Sequence, residues 1–287
     1  MRTIATIQEM QSSCRALRRA GESLGLVPTM GALHDGHLSL VKASKAACQI
    51  TAVSIFVNPT QFGPNEDLAK YPRTFDSDCA MLEQAGVDLV FAPAVEEMYP
   101  LGAATWVEVE GVGDRLEGAS RPGHLRAVAT VVSKLFHIVA PTHAFFGQKD
   151  AAQLAVLRKM VRDLNYNLQI VGRPIVREPD GLAMSSRNRY LDTAERQRAL
   201  VLSRALRAAS VLVAGGETCA APLLAAMRAV FAAEPGARVD YITVVDPDTL
   251  LPIEDIKPGG MLAVAAWIGA TRLLDNILTR EINRRAS

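Results

Sequence analysis

Residues 23–57 run SLGLVPTMGALHDGHLSLVKASKAACQITAVSIFV, and the architecture follows from them. Residues 23–27 form a short apolar strand. Residues 28–37 form a loop with two glycines and two histidines. Residues 38–48 have the composition of a helix. Residues 50–57 are a second strand, rich in β-branched residues and closed by Asn58-Pro59. Strand, helix and strand in that order make a parallel βαβ unit. The alternation continues downstream. Thr74 starts a helix that runs to Ala85 and stops at Gly86, and residues 87–91 are a strand. Residues 105–109 alternate like a more exposed strand. Leu125, Val128, Ala129, Val132, Leu135, Phe136 and Val139 fall at helical spacing. A strand at 143–146, a helix at 151–164 and a strand at 168–171 complete the series.

Beyond this the pattern changes. Residues 193–233 are Ala-, Leu- and Arg-rich and helical, with a break at Gly215-Gly216. Strand-like runs follow at 239–245, 261–266 and 271–278. Helices followed by consecutive strands indicate a small α+β domain. The chain therefore divides into an N-terminal α/β domain with a parallel sheet, residues 1–176, and a smaller α+β domain, residues 177–287.

Composition narrows the function. The 287 residues are 49% hydrophobic and 21% charged, with a formal net charge of +1, as expected of a folded chain with no basic nucleic-acid face. Arg280, Arg284 and Arg285 read as a solvated helix face or tail. Cys14, Cys48, Cys79 and Cys219 form no C-x-x-C pair, which argues against a zinc or dithiol motif and fits a reducing, cytoplasmic compartment. No apolar run is long enough for a membrane helix, and the first ten residues do not read as a signal peptide.

Two familiar phosphate signatures are absent. There is no Walker A sequence, and Gly111-Val112-Gly113 lacks the third glycine and the strand–helix context of a dinucleotide fingerprint. The loop Pro28-Thr29-Met30-Gly31-Ala32-Leu33-His34-Asp35-Gly36-His37 is the better nucleotide candidate. It links a strand to a helix N-terminus, where unpaired N–H groups favour a phosphate. His34 and His37 are three residues apart and face one side of the first turn. A metal pair, or simple capping and packing, are the other readings of the same spacing. Phe146-Gly147-Gln148-Lys149-Asp150 lies at another strand–helix turn, where Lys149 can meet a phosphate oxygen; a surface lysine beside an ordinary cap is the alternative. Asp180-Gly181-Leu182-Ala183-Met184-Ser185-Ser186-Arg187-Asn188 offers two hydroxyls and an arginine in a loop at the domain boundary, or else a polar linker. Gln61, in the loop after the second strand, can bond the carboxyl and hydroxyl groups of a small acid, or can satisfy loop backbone.

Together these segments resemble the pantothenate synthetase (pantoate–β-alanine ligase) family, within the H-x-G-H nucleotidyltransferases. Residues 27–37, 56–63, Tyr71-Pro72-Arg73-Thr74, Arg121-Pro122-Gly123-His124, 146–150 and 181–191 match in order. The 181–191 segment is the most specific of them, whereas the C-terminal domain matches by length and element order. The resemblance implies a Rossmann-like N-terminal domain, a C-terminal lid, a homodimer, and ATP with Mg²⁺. It implies adenylation of pantoate and then attack by β-alanine. It places Met30 to His37, Gly147, Gln148, Lys149, Asp150, Val176, Met184, Ser185, Ser186 and Arg187 at ATP. It places Gln61 and Gln153 at pantoate, with Gln61 also near β-alanine. His37 is the family's proton donor, and Asp78 is a candidate for Mg²⁺ through water. His34, His37, Lys149 and Arg187 supply positive charge or hydrogen bonds where negative charge develops. One departure is visible: Ala152 precedes Gln153 where the family often has a second glutamine. The nearest alternative function is an adenylyltransferase that forms a dinucleotide-like cofactor.

Overall fold

In a computed structural model, residues 1–64, 66–256 and 259–286 are described, except the side chains of 283–286. Arg284 and Arg285 of the expected solvated face therefore lie outside the described side chains. The chain forms two compact units. One comprises residues 1–147 and 156–174, the other residues 148–155 and 175–287.

The first unit is built on a fully parallel six-stranded sheet. In chain order its elements are β1 (Arg2–Ile4), α1 (Ile7–Arg19), β2 (Leu24–Thr29), α2 (Asp35–Ala47), β3 (Ile50–Ile55), α3 (Phe75–Gln84) and β4 (Leu89–Phe91). Then come two short helices, α4 (Val95–Met98) and α5 (Glu117–Ser120), followed by α6 (His124–Val139), β5 (His143–Gly147), α7 (Ala151–Asp163), whose residues 151–155 belong to the second unit, and β6 (Gln169–Arg173). The strand order is β1-β4-β3-β2-β5-β6. From β2 the chain winds outward through β3 and β4. It then returns to place β5 on the other side of β2. The carboxyl ends of β2 and β5 thus flank a reversal in strand order, where open α/β sheets collect ligands. Two of the expected nucleotide segments, residues 28–37 and 146–150, leave these two strand ends.

The core explains the register. Val27, Val53, Val90 and Phe145 project from four neighbouring strands and pack with Leu33, Leu40, Val41 and Leu82. Close packing of α2 on β2 depends on Gly25, since a Cβ there would lie 2.1 Å from Ser44 Oγ. α6 buries most of its length, in keeping with its apolar periodicity.

Two features depart from the sequence reading. Residues 105–109 join no sheet among the described residues. Instead, the Val107 N–H donates to Thr130 Oγ1 on α6 (2.9 Å), and Arg126 lies over the Trp106 ring. Alternation in that segment reflects contact with a helix. β1 and α1 are additional elements. The helix is capped by Thr6, whose hydroxyl accepts from the Glu9 N–H.

The second unit contains α8 (Thr193–Ala214), α9 (Ala220–Ala232), β7 (Ala237–Val245), β8 (Met261–Ile268), β9 (Thr271–Leu278) and α10 (Thr279–Ala286). β7, β8 and β9 form an antiparallel sheet. Asp192 and Glu195 make a reciprocal capping box at the start of α8. Ala199, Leu202, Leu206 and Ala209 then form one buried helical face. That face packs with Leu223, Met227 and Phe231 of α9 and with Leu262 and Val264 of β8.

Candidate active site

In the first unit the loop between β2 and α2 is held from both ends. Thr29 Oγ1 donates to the Ser54 carbonyl (2.7 Å) and accepts from the Gly31 N–H (3.2 Å). Gly31 and Ala32 take positive φ angles of 80° and 50°. The resulting turn aims consecutive N–H groups at Asp78 on α3. Asp78 Oδ2 accepts from Ala32 and Oδ1 from Leu33, each at 2.9 Å, while Thr74 Oγ1 donates to Oδ1 at 3.1 Å. Asp78 is 1% exposed. This network makes Asp78 an anchor of the loop. Both oxygens already accept hydrogen bonds, and solvent scarcely reaches the carboxylate. Among the described residues, no group of three or more His, Cys, Asp and Glu side chains is gathered as a metal site.

His34 is the N-cap of α2, and its Nδ1 accepts from the Gly36 N–H (3.1 Å). His37 Nδ1 accepts from the His34 N–H (3.4 Å). A ring nitrogen that accepts carries no proton, so each neutral imidazole bears its hydrogen on Nε2. The two rings lie with centroids 4.1 Å apart. A helix N-terminus thus carries two Nε2–H donors on one side of its first turn, and that combination suits an anion.

Gln61 ends a short turn after β3. Its side-chain Oε1 accepts from Asn58 Nδ2 (3.0 Å), and Asn58 is fully buried. The Gln61 carbonyl accepts from His124 Nδ1 (2.9 Å) and Arg121 Nη2 (3.2 Å). Arg121 also forms a bidentate pair with Glu66. Arg121 Nη1 lies 2.9 Å from His124 Nε2. A guanidinium only donates, so His124 Nε2 must accept, and the His124 proton sits on Nδ1, directed at Gln61. Burial tends to raise the Glu66 pKa, but the bond and charge of Arg121, with a Gly63 backbone bond and the nearby His124, together outweigh it and hold the carboxyl below its usual range. Gly147 is the last residue of β5.

The second unit carries the remaining expected residues. Lys149 Nζ pairs with Asp150 Oδ1 at 3.2 Å. Gln148 is buried, and Gln153 lies on the first turn of α7. The Val176 carbonyl accepts from the Met184 N–H (3.0 Å), which closes a narrow antiparallel turn bridged by Arg177 and Ala183. Ser185 caps the short helical turn Ser186–Tyr190, its hydroxyl accepting from the Arg187 N–H (3.3 Å). Asn188 Nδ2 donates to Glu178 Oε1 (2.8 Å) and to the Ala183 carbonyl (3.1 Å), which fixes the far end of this segment.

Sequence reasoning gave no role to Glu66, Arg177, Asp275 or Asn276. Arg177 makes a bidentate pair with Asp275 of β9 (2.6 and 2.9 Å). Burial pushes the Asp275 carboxyl up, against the lowering effect of Arg177. One signal was available: Asp275-Asn276 is a polar pair set between Leu273-Leu274 and Ile277-Leu278.

Comparison with known proteins yields consistent similarities. The family model described as pantoate-beta-alanine ligase matches residues 2–278. A pantothenate synthetase of Koribacter versatilis is 61% identical over 278 residues, covering 97% of this chain and 96% of that protein. One from Acidobacterium capsulatum is 61% identical over 292 residues, covering 98% of each. The crystal structure of the Thermus thermophilus pantothenate synthetase superposes with a TM-score of 0.93 at 49% identity, covering 97% of this chain and 99% of that one. A Francisella tularensis pantoate-beta-alanine ligase, crystallised with beta-gamma ATP and beta-alanine, gives a TM-score of 0.80 at 33% identity, covering 98% of each.

Proposed function

Because the chain belongs to the pantoate–β-alanine ligase family, we propose that it joins pantoate to β-alanine at the expense of ATP, through a pantoyl adenylate. In the first step a pantoate carboxylate oxygen bonds to the α-phosphorus of ATP and pyrophosphate leaves. In the second, the β-alanine amine attacks the activated carbonyl, AMP leaves, and the amine nitrogen loses a proton. Family membership favours this reading over the adenylyltransferase alternative.

The observation that carries the chemistry is the pair of Nε2–H donors of His34 and His37 at the N-terminus of α2. Carboxylate attack on a polyphosphate brings like charges together, so the site must supply donors where negative charge grows. The first step moves no proton between the reactants. His37 therefore acts by donating a hydrogen bond, without net proton transfer. His34 does the same, while Lys149 and Arg187 add full positive charge. Met30 to Asp35, Gly36, Gly147, Gln148, Asp150, Val176, Met184, Ser185 and Ser186 line the nucleotide in this reading. Gln61 and Gln153 hold pantoate, and Gln61 also meets β-alanine. Mg²⁺, when bound with ATP, would neutralise phosphate charge in this reading, and Asp78 anchors the loop beside it.

An acyl adenylate hydrolyses readily, so water must be kept from it. Residues 177–287 are assigned the role of a lid domain to residues 1–176, with residues 181–187 as its closing loop. Hydrogen exchange of 181–187 should slow when ATP and pantoate are both present, and unchanged exchange would remove the lid role. Homodimeric assembly and a cytoplasmic setting belong to the same reading, and light scattering tests the first. No helix among the described residues is long and apolar enough to cross a membrane.

The deciding experiment is exchange of labelled pyrophosphate into ATP, with Mg²⁺ and without β-alanine. Exchange that requires pantoate establishes reversible adenylation and identifies the acid. Addition of β-alanine should then release free AMP. A dinucleotide product would instead restore the adenylyltransferase alternative.

A further inference from the structure

β9 carries two consecutive polar residues between Leu273-Leu274 and Ile277-Leu278, and both Asp275 and Asn276 are 3% exposed. Buried polar side chains in such a setting must find partners or destabilise the unit. Their partners are specific. Asn276 Nδ2 donates to the carbonyls of Gln148 (3.0 Å) and Lys149 (2.9 Å), which uses both of its hydrogens on the backbone of one turn. Its Oδ1 accepts from Gln148 Nε2 at 3.4 Å. Asp275 receives both terminal nitrogens of Arg177 and also the Asn276 N–H (2.8 Å). The same guanidinium donates to the Gly181 carbonyl (3.0 Å). Arg177 thereby ties Asp275 to the antiparallel turn that leads through Met184 to Ser185, Ser186 and Arg187.

One dipeptide therefore holds two chain segments far apart in sequence. Asn276 fixes the backbone that carries Lys149, and Asp275, through Arg177, fixes the base of the segment that carries Arg187. We propose that Asp275 and Asn276 are positioning residues that set Lys149 and the 185–187 segment in one fixed geometry for the nucleotide phosphates. This rests on the reading of Lys149 and residues 185–187 as ATP-binding. Neither Asp275 nor Asn276 touches substrate in this account. Their contribution is preorganisation, since donors held in place need no rearrangement as charge develops.

The chemistry makes Asn276→Asp the sharpest variant. It keeps shape and volume but turns a nitrogen that donates to two carbonyls into an oxygen that repels them. Asp275→Asn similarly keeps shape and leaves Arg177 with one acceptor in place of two. The assay is pantoate-dependent pyrophosphate exchange, run first on the wild type and Lys149→Ala. Wild type without exchange would remove the underlying functional reading, separately from this proposal. With exchange present, Asn276→Asp should lower kcat/KM for ATP about 100-fold, the scale of misplacing a group by about an ångström. KM for pantoate should stay within about twofold, since the displaced groups face phosphate. In the Lys149→Ala background the same change should cost less than about threefold, because residues that act through one another are non-additive. Costs that multiply, or a pantoate KM that rises in parallel, would overturn the proposal. Melting monitored by circular dichroism checks folding. If Asn276→Asp does not fold, Asn276→Ala and Asp275→Asn are read by the same criteria. Failure of all three to fold would assign the pair to stability alone and also overturn the proposal.

Discussion

Replacing Asp78 by asparagine tests how the loop between β2 and α2 is held. The substitution is nearly isosteric, so its effect comes from hydrogen-bond chemistry. In the wild type, two carboxylate oxygens receive the Ala32 and Leu33 N–H groups at 2.9 Å and the Thr74 hydroxyl at 3.1 Å. Asparagine offers one oxygen, and its NH₂ group then confronts one of those N–H groups. A hydrogen bond to a charged acceptor contributes about 1.5–3 kcal/mol, and a buried donor left unmatched costs about 1–3 kcal/mol. Part of this is recovered if the loop shifts, so a net loss of about 3 kcal/mol is expected. That corresponds to a fall in Tm of roughly 6–12 °C. The shift that recovers stability moves the turn leading into His34. Activity should therefore drop more than stability suggests, by about 100-fold in kcat/KM for ATP. The assay is pyrophosphate exchange over a series of Mg²⁺ concentrations. An anchored loop predicts that the concentration of Mg²⁺ giving half-maximal rate stays where it is in the wild type. If excess Mg²⁺ restored the Asp78→Asn enzyme, Asp78 would be acting on the cation, and the anchoring argument would fail.

Other substitutions probe the remaining links. Gly31→Ala places a Cβ at φ 80° and 3.0 Å from Asp78 Oδ2, so it should destabilise by more than about 1 kcal/mol and weaken ATP binding; an unchanged melting curve would contradict the tight turn. His37→Ala should keep most ATP affinity but lose about 100-fold or more in single-turnover adenylation at saturation, because its donor counts in the transition state; the reverse pattern would assign His37 to ground-state binding. Glu66 is a carboxyl whose pKa is depressed on folding, so its stabilising pairing with Arg121 is present above the unfolded value near 4.5 and fades as pH falls through the folded one. Glu66→Gln should therefore flatten the acid side of the wild-type melting profile and raise KM for pantoate through the Gln61 loop, and a profile parallel to wild type would remove that linkage.

Much of the fold was legible because periodicity and punctuation agreed. Val27, Val53 and Val90 lie in short apolar runs bounded by turn residues, and their strands sit side by side in the parallel sheet. Residues 105–109 misled because alternation records only that successive side chains meet different surroundings, and here the partner is Thr130 on a helix. The loop before α2 announced itself through two histidines and two glycines. Its anchor did not, because Asp78 lies over forty residues away, in a helix where an aspartate reads as ordinary first-turn charge. Asp275 and Asn276 were legible in a weaker sense. A polar pair set between two apolar pairs signals that something needs those groups there, but the partner's identity is a tertiary fact. Only when β9 is placed do the Lys149 turn and Arg177 become the explanation for the dipeptide. Sequence motifs therefore marked the residues proposed to face the chemistry, whereas the residues that hold them became visible as buried polar groups with backbone partners. The same distinction predicts where silent substitutions will be rare: at Asp78, Asp275 and Asn276, a loss of hydrogen-bond geometry is transmitted directly to residues proposed to meet ATP.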